Sequence, residues 1–239
     1  MAKHTIFLVE DEATIREVVR KYLELDGFSV LEASNGPQAL AMLRDHPVDL
    51  ILLDIMLPGL DGFAITRTIR DEADSSYLAT AGHIPIIMLT SRTQEQDRLV
   101  GFELGVDDYI PKPFSPREVV ARVKAVLRRA APSAVQVEKP LKFGNLTIDP
   151  VKRNVVIGDK RPELTAKEFD LLYFLAQHPQ QVFTRTQLLD KLWGYEFYGD
   201  ESTVTVHIRR LREKVEPDPA SPTYVQTVWG VGYKFDVVG

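Results

Sequence analysis

Cysteine is absent from the 239-residue chain. That removes disulfides, thiolate nucleophiles and Cys-ligated zinc, and it suits a reducing compartment. Long apolar runs are also missing: each breaks well short of the ~18 residues that cross a bilayer. No membrane partner is expected. Met1-Ala2-Lys3-His4 leads directly into a strand-like run, so no secretory leader is read and a cytoplasmic location is expected. No internal repeat is evident. Neither sign of charge dominates, the formal net charge being −5. With 44% hydrophobic and 26% charged residues the chain is an ordinary globular one, long enough for one large or two ordinary domains.

The small charge imbalance is unevenly placed. Residues 1–130 carry 15 Lys and Arg against 20 Asp and Glu, whereas residues 131–239 carry 14 of each. An acidic pI argues against indiscriminate DNA binding, but basic groups gathered on one face of a neutral half can still bind nucleic acid.

The first half alternates strand-like and helix-like segments. Strands are expected at Thr5–Val9, Ser29–Ala33, Leu50–Leu53, Ile84–Thr90 and Tyr109–Ile110. Helices are expected at Ala13–Leu25, from Asn35-Gly36-Pro37 to about Asp45, from Gly62 to Ile69 or beyond, at Gln94–Leu104, and from the Ser115-Pro116-Arg117-Glu118 capping box to Arg129. Five strand–helix pairs imply an α/β fold: a five-stranded doubly wound parallel sheet of flavodoxin-like type, with its site at the strands' C-terminal ends. Residues 1–130 form this domain. Residues 131–140, with two prolines and no helical period, read as a linker.

Residues 141–239 read as a second, α+β domain. Three or four short strands lie between Leu141 and Glu163. Capping boxes at Thr165–Glu168 and Thr184–Gln187 open two helices, and Asp200–Glu216 forms a third. Two strands, Tyr224–Val228 and Tyr233–Val237, flank Gly230-Val231-Gly232 as a hairpin.

One stretch of the first half carries a problem. In "DLILLDIMLPGLDG" Asp54 follows a run fit for a buried strand, where a carboxylate loses hydration unless something replaces it. Asp54 is either a capped turn residue or a group held ready for a cation or a reaction. Glu10 and Asp11 follow the first strand, which neighbours the third in such a sheet. Three carboxylates in one crevice repel unless a hard cation joins them, and Mg²⁺ fits. Thr90 ends the fourth strand and adds a hydroxyl, and Lys112, just after the fifth, adds an ammonium. The set reads as a phosphoryl-transfer site with Asp54 as nucleophile.

"LVEDE", "ILLDIMLPGLDG", "IIMLTS" and "GVDDYIPKPF" closely resemble the receiver domain of two-component response regulators, over about residues 4–129. The resemblance implies that Asp54 accepts phosphate from a sensor histidine kinase. It implies Mg²⁺ held by Glu10, Asp11, Asp54 and the Met56 backbone carbonyl, and a cis Lys112–Pro113 bond. Thr90 and Tyr109 would form a switch in which the aromatic turns inward as Thr90 moves toward the phosphoryl group. The loop from Asp71 to Gly82 is several residues longer than usual for the family.

In the third helix of the second half, Val204, Ile208, Leu211 and Val215 share a core face, and Ser202, Val206, Arg209, Arg210 and Glu213 lie opposite, with Thr203 at the edge. Such a basic, hydroxyl-bearing face can lie in a major groove of double-stranded DNA. "LTAKEFDLLYFLAQHP", "TRTQLLDKLWG", "STVTVHIRRLREKVE" and "VQTVWGVGYKF" strongly resemble the winged helix-turn-helix effector domain of the OmpR/PhoB subfamily, over about 141–237. The resemblance implies a recognition helix at Asp200–Glu216, a loop at Trp193–Gly199 that can face RNA polymerase, and a wing at Tyr224–Val237. Arg209 and Arg210 are then the base readers, Thr203, Thr205 and Arg212 phosphate or mixed contacts, and His207 packing. Trp229 stands where some relatives carry arginine, and either packs on the domain or touches sugar edges.

The subfamily resemblance also implies a two-fold receiver homodimer on phosphorylation. Its face is drawn from Arg98, Glu103, Asp107, Asp108, Glu118, Arg122, Lys124 and Arg129, with Arg98–Glu118, Asp108–Arg122 and Glu103–Lys124 as pairs across it. The expected whole is a phosphorylation-dependent transcriptional regulator, not a metabolic enzyme. Haloacid-dehalogenase-type phosphatases share the strand-end Asp, Thr and Lys but need a second Asp where Met56 stands. A purely protein-binding output half is opposed by Arg209 and Arg210.

Overall fold

The computed structural model describes residues 4–71, 78, 84–91, 95–130, 139–194 and 200–236, with backbone alone for 95–98 and 128–130. The chain divides into two compact units, Met1–Arg128 and Arg129–Gly239.

The first unit runs β1 (Thr5–Val9), α1 (Ala13–Leu25), β2 (Ser29–Ala33), α2 (Gly36–Asp45), β3 (Leu50–Asp54), α3 (Gly62–Arg70), β4 (Ile86–Thr90), α4 (Glu95–Leu104), β5 (Asp108–Pro111) and α5 (Pro116–Ala130). All strand pairings are parallel, in the order β2-β1-β3-β4-β5. Side chains alternate across the sheet. Ile6, Leu8, Leu50, Leu52, Ile87 and Leu89 pack with Val19 and Leu23 of α1 and Val119, Val123 and Val126 of α5. Phe7, Val9, Ile51 and Leu53 are left for the opposite face and are also buried. With both faces covered, β3 and β4 bury every residue, which is why they read as continuous apolar runs. Caps fix where helices begin: Asn35 Oδ1 accepts from the Gln38 amide and Asp61 Oδ1 from the Ala64 amide.

The strand order reverses between β1 and β3, where such sheets open a crevice. Val9 pairs with Leu53, so Glu10 and Asp54 emerge side by side. β4 begins two residues later than the expected Ile84, because Ile84 spends its carbonyl on Arg70 Nη2 (2.7 Å) and Pro85 has no amide to donate. Most of the 71–82 loop lies outside the described residues, as does most of the 131–140 linker.

The second unit begins with an antiparallel sheet of β6 (Leu141–Phe143), β7 (Leu146–Asp149) and β8 (Asn154–Ile157). Helices α6 (Ala166–Ala176), α7 (Arg185–Leu192) and α8 (Glu201–Val215) follow, and β10 (Val225–Val228) and β11 (Gly232–Phe235) close the unit. Both expected capping boxes form, Thr165 with Glu168 and Thr184 with Gln187. Val204, Ile208, Leu211 and Val215 join Leu171, Leu172, Leu175, Val225 and Phe235 in one core. The hairpin gains a third strand that the sequence did not reveal, β9 (Phe183–Thr184), giving the order β10-β11-β9. Among the described residues no helix is long and apolar enough to cross a membrane.

Candidate functional site

At the β1/β3 crevice, Glu10 is fully buried and Asp54 nearly so, while Asp11 is exposed. Ligand oxygens of the three lie within 4.8 Å of one another. Lys112, following β5, reaches into the group. Its Nζ donates to Asp54 Oδ2 (2.6 Å) and Glu10 Oε1 (2.9 Å). Glu10 Oε2 lies 2.8 Å from that ammonium but receives no aligned hydrogen bond. The Met56 amide fixes the other Asp54 oxygen, donating to Oδ1 at 3.0 Å. Glycine sets the strand end: a Cβ on Gly62 would come within 2.5 Å of the Asp54 carbonyl oxygen, so α3 can start this close only with glycine there.

The electrostatics follow from one ammonium serving two buried carboxylates. Burial, with the Asp54 charge beside it, pushes the Glu10 carboxyl up to about 7 against the pull of Lys112. Burial works against charging Lys112 as well, yet its bonds to Asp54 and Glu10 hold its pKa above the ordinary lysine value. A hard divalent cation suits this donor set, for it would meet three carboxylates, one of which keeps a buried oxygen without an aligned donor. This is a carboxylate–lysine site of the kind that serves phosphoryl transfer.

Around the crevice, Thr90 is buried at the end of β4, and its carbonyl accepts from the Lys112 amide (2.7 Å). The Lys112–Pro113 peptide is cis. Tyr109 is turned inward, its ring edge-on to Phe102 with centroids 5.0 Å apart. Its hydroxyl occupies the space a side chain at position 101 would need. A Cβ on Gly101 would lie 1.4 Å from it. Arg16, which the sequence reading passed over, donates from Nη1 to the carbonyls of Glu10 (2.6 Å) and Asp11 (3.2 Å). The signal available for it was an arginine in the first turn of the helix that follows the acids.

In the second unit the outward face of α8 is narrower than expected. Arg209 and Thr205 are exposed, and Ser202 and Val206 partly so; Arg209 lies 3.6 Å from its helix neighbour Glu213. Arg210 is a correction. It turns inward, where its Nε donates to Glu168 Oε1 (2.9 Å). Glu168 is wholly buried and also meets Lys214 Nζ (2.6 Å) and the Thr165 amide (2.9 Å). Burial opposes its charge, yet Lys214 and Arg210 outweigh that and hold its carboxyl at about 2. Thr203 is a second correction, being buried. Arg212 binds the Val225 carbonyl (2.9 and 2.6 Å) and Thr227 Oγ1 (2.8 Å), and so ties α8 to the wing. His207 packs inside, edge-on to Trp193, and burial lowers its pKa to about 4. Trp229 does not pack on the domain: it is 89% exposed at the hairpin tip. Residues 195–199 of the loop assigned to RNA polymerase lie outside the described residues.

The receiver's expected dimer face also needs correction. Asp107 is buried, accepting from the Ile86 amide (2.9 Å) and Arg70 Nη2 (3.3 Å), and so is spent inside its own unit. Arg122 pairs within its own chain, with Asp108 (3.2 Å) and Glu118 (3.2 Å), and Lys124 pairs with Asp26 (2.5 Å). Glu103 is exposed, while the side chains of Arg98 and Arg129 lie outside the described residues.

Comparison with known proteins agrees with both units. Residues 6–124 match the family described as "Response regulator receiver domain", and residues 159–235 that described as "Transcriptional regulatory protein, C terminal". The transcriptional regulatory protein ResD of Bacillus subtilis is 46% identical over 238 residues, covering 97% of this chain and 95% of ResD. SrrA of Staphylococcus aureus is 44% identical with the same coverage. A solved variant of RitR superposes with a TM-score of 0.71 at 28% identity, covering 98% of this chain and 99% of that one. The Thermotoga maritima regulator DrrB gives 0.51 at 33% identity, covering 98% and 100%.

The chain is thus a receiver joined to a DNA-binding winged helix. It belongs to the OmpR/PhoB family of two-component response regulators. The family works by phosphorylation of the receiver to control the effector; its members transfer and hydrolyse their own phosphoryl group and are not metabolic enzymes.

Proposed function

We propose that Asp54 is the phosphoacceptor, that its phosphorylation drives receiver dimerisation, and that the dimer seats two winged-helix units on tandem DNA half-sites. The observation that carries this reading is the crevice itself: a buried Asp54 beside Glu10 and Asp11, with Lys112 2.6 Å from one of its oxygens.

Asp54 attacks the phosphorus of a phosphohistidine on a sensor kinase. The P–O bond forms as the P–N bond breaks, and the electron pair returns to the imidazole. Glu10, Asp11, Asp54 and the Met56 carbonyl would hold Mg²⁺, which supplies charge neutralisation for the phosphoryl oxygens. Lys112 moves its ammonium from the two carboxylates onto the new phosphoryl group. Thr90, at the neighbouring strand end, donates its hydroxyl to another phosphoryl oxygen, and Tyr109 stays inward beneath it.

On the output side, Ser202, Thr205, Val206 and Arg209 form the face that meets the major groove. Arg209 is suited to bidentate contact with guanine, and Thr205 and Val206 to apolar contact with a thymine methyl. Arg212 stiffens the junction with the wing. Dimerisation must exchange Arg122–Asp108 from within one chain to across two, so its charge pairs add little affinity each. Shape and apolar contact on the α4–β5–α5 face then supply the rest.

The test is to phosphorylate the protein with a small phosphodonor and Mg²⁺, then measure its mass in solution and its DNA affinity. A dimer mass and tighter DNA binding are expected. Unchanged mass with unchanged affinity would overturn the proposal.

A further inference from the structure

Two of the three crevice acids, Glu10 and Asp11, occupy successive backbone positions after β1, and that turn has a brace. Arg16 Nη1 reaches back from the first turn of α1 to the carbonyls of Glu10 (2.6 Å) and Asp11 (3.2 Å). The guanidinium does not rest on these alone. Its Nε lies 3.6 Å from Glu32 Oε1 on β2, and Glu32 is steadied by Arg20 at 3.2 Å. The β1 end is tied to the same strand through the Glu10 amide and the Ala33 carbonyl (3.1 Å). The two carbonyls flank the dihedrals of Asp11, and the tied Glu10 amide and carbonyl flank those of Glu10, so together these bonds fix where both side chains leave the chain. Glu10 goes inward to full burial and Asp11 outward to solvent.

We infer that Arg16 is a positioning residue for the cation site, holding Glu10 and Asp11 at the spacing that lets both carboxylates and Asp54 meet one divalent ion. The inference rests on the proposed reading that these acids hold Mg²⁺. The sign of its effect separates it from two plainer roles. If Arg16 were only a nearby positive charge, removing it would tighten cation binding, since like charges repel. If it were only a structural tether, stability would fall and cation affinity would not change. A positioning role predicts weaker binding despite the loss of a repelling charge. Groups that orient metal ligands typically govern affinity by about 10–100-fold.

The experiment is calorimetric titration of the unphosphorylated full chain with Mg²⁺, in wild type, Arg16→Met and Arg16→Lys, each with a thermal melt. The dissociation constant is expected to rise by about tenfold in Arg16→Met. It should rise by less in Arg16→Lys, which keeps the charge but cannot hold both carbonyls and Glu32 with one planar fork. If Arg16→Met does not fold, the rise in Arg16→Lys decides. Tighter binding in Arg16→Met, or unchanged affinity in the folded variants, would overturn the role of Arg16 while leaving Mg²⁺ binding intact. Absence of Mg²⁺ binding in wild type would overturn the underlying cation site, and this inference with it.

Discussion

Two of the chain's buried carboxylate clusters are treated oppositely. In the receiver, Glu10 and Asp54 share one ammonium, and burial drives Glu10 up to about 7. In the effector, Glu168 alone holds two cations and a backbone amide, and its carboxyl falls to about 2. Burial penalises charge in both. The count of compensating partners decides the sign. A deficit of positive charge suits the first cluster to a divalent cation, which is the ground of the proposed chemistry there. The second is closed, and its cost and gain are spent on joining α6 to α8.

The sharpest way to break this contrast is at Asp54. Asp54→Ala should abolish phosphorylation by a small phosphodonor while leaving the fold intact; label retained on the variant would refute the assignment. Next comes Glu168→Ala, which strands Arg210 and Lys214 and removes one arm of a capping box. It should destabilise the effector unit by about 3–5 kcal/mol, read by denaturant titration. Both tryptophans, Trp193 and Trp229, lie in that unit, so their fluorescence reports on it alone.

The same fluorescence gives a pH test. Glu168 holds its carboxylate below the ordinary value of 4.5, so its contribution is complete above 4.5 and fades as pH falls toward about 2. His207 is held below its ordinary 6.5, at about 4. The unfolded chain therefore takes up a proton over that interval that the folded chain refuses, again favouring unfolding as pH falls. Effector stability should decline from about pH 6.5 downward. His207→Gln should flatten the upper part of the decline and leave the lower part; an unaltered profile would contradict the cause given.

Neighbouring arginines sharpen the contrast further. Arg210→Ala should cost about 2 kcal/mol of effector stability, whereas Arg209→Ala should leave stability unchanged and weaken specific DNA binding by about 1–3 kcal/mol. Equal losses of DNA affinity at equal stability would put Arg210 back on the outer face. Smallest of all, Trp229→Ala should change stability by less than about 0.5 kcal/mol, since its indole stands in solvent; a larger loss would show that it packs.

How far these regions were legible from sequence depends on what each needs. The acidic crevice was readable because strand ends are. Apolar runs and turn residues locate Glu10, Asp54, Thr90 and Lys112 at one edge, although Lys112 lies 102 positions from Glu10. Helix period likewise placed Val204, Ile208, Leu211 and Val215 in the core. Residues at the border of a helical face were not readable. Thr203 sits there; Arg210 reads as outward by period, and its inward turn is set by Glu168, 42 positions away, which a period cannot see. Asp107 and Asp108 are adjacent acids at a strand start and both are buried; only their partners separate them, Arg70 of α3 for the first and Arg122 of α5 for the second. β9, at two residues, is too short to leave a pattern.

The most direct measurement is to incubate the protein with a small phosphodonor, with and without Mg²⁺, and locate the modification by peptide mass mapping. The account predicts a single phosphoryl group, on Asp54, formed only when Mg²⁺ is present. Modification at another residue, or modification of Asp54 that proceeds equally without the ion, would contradict it.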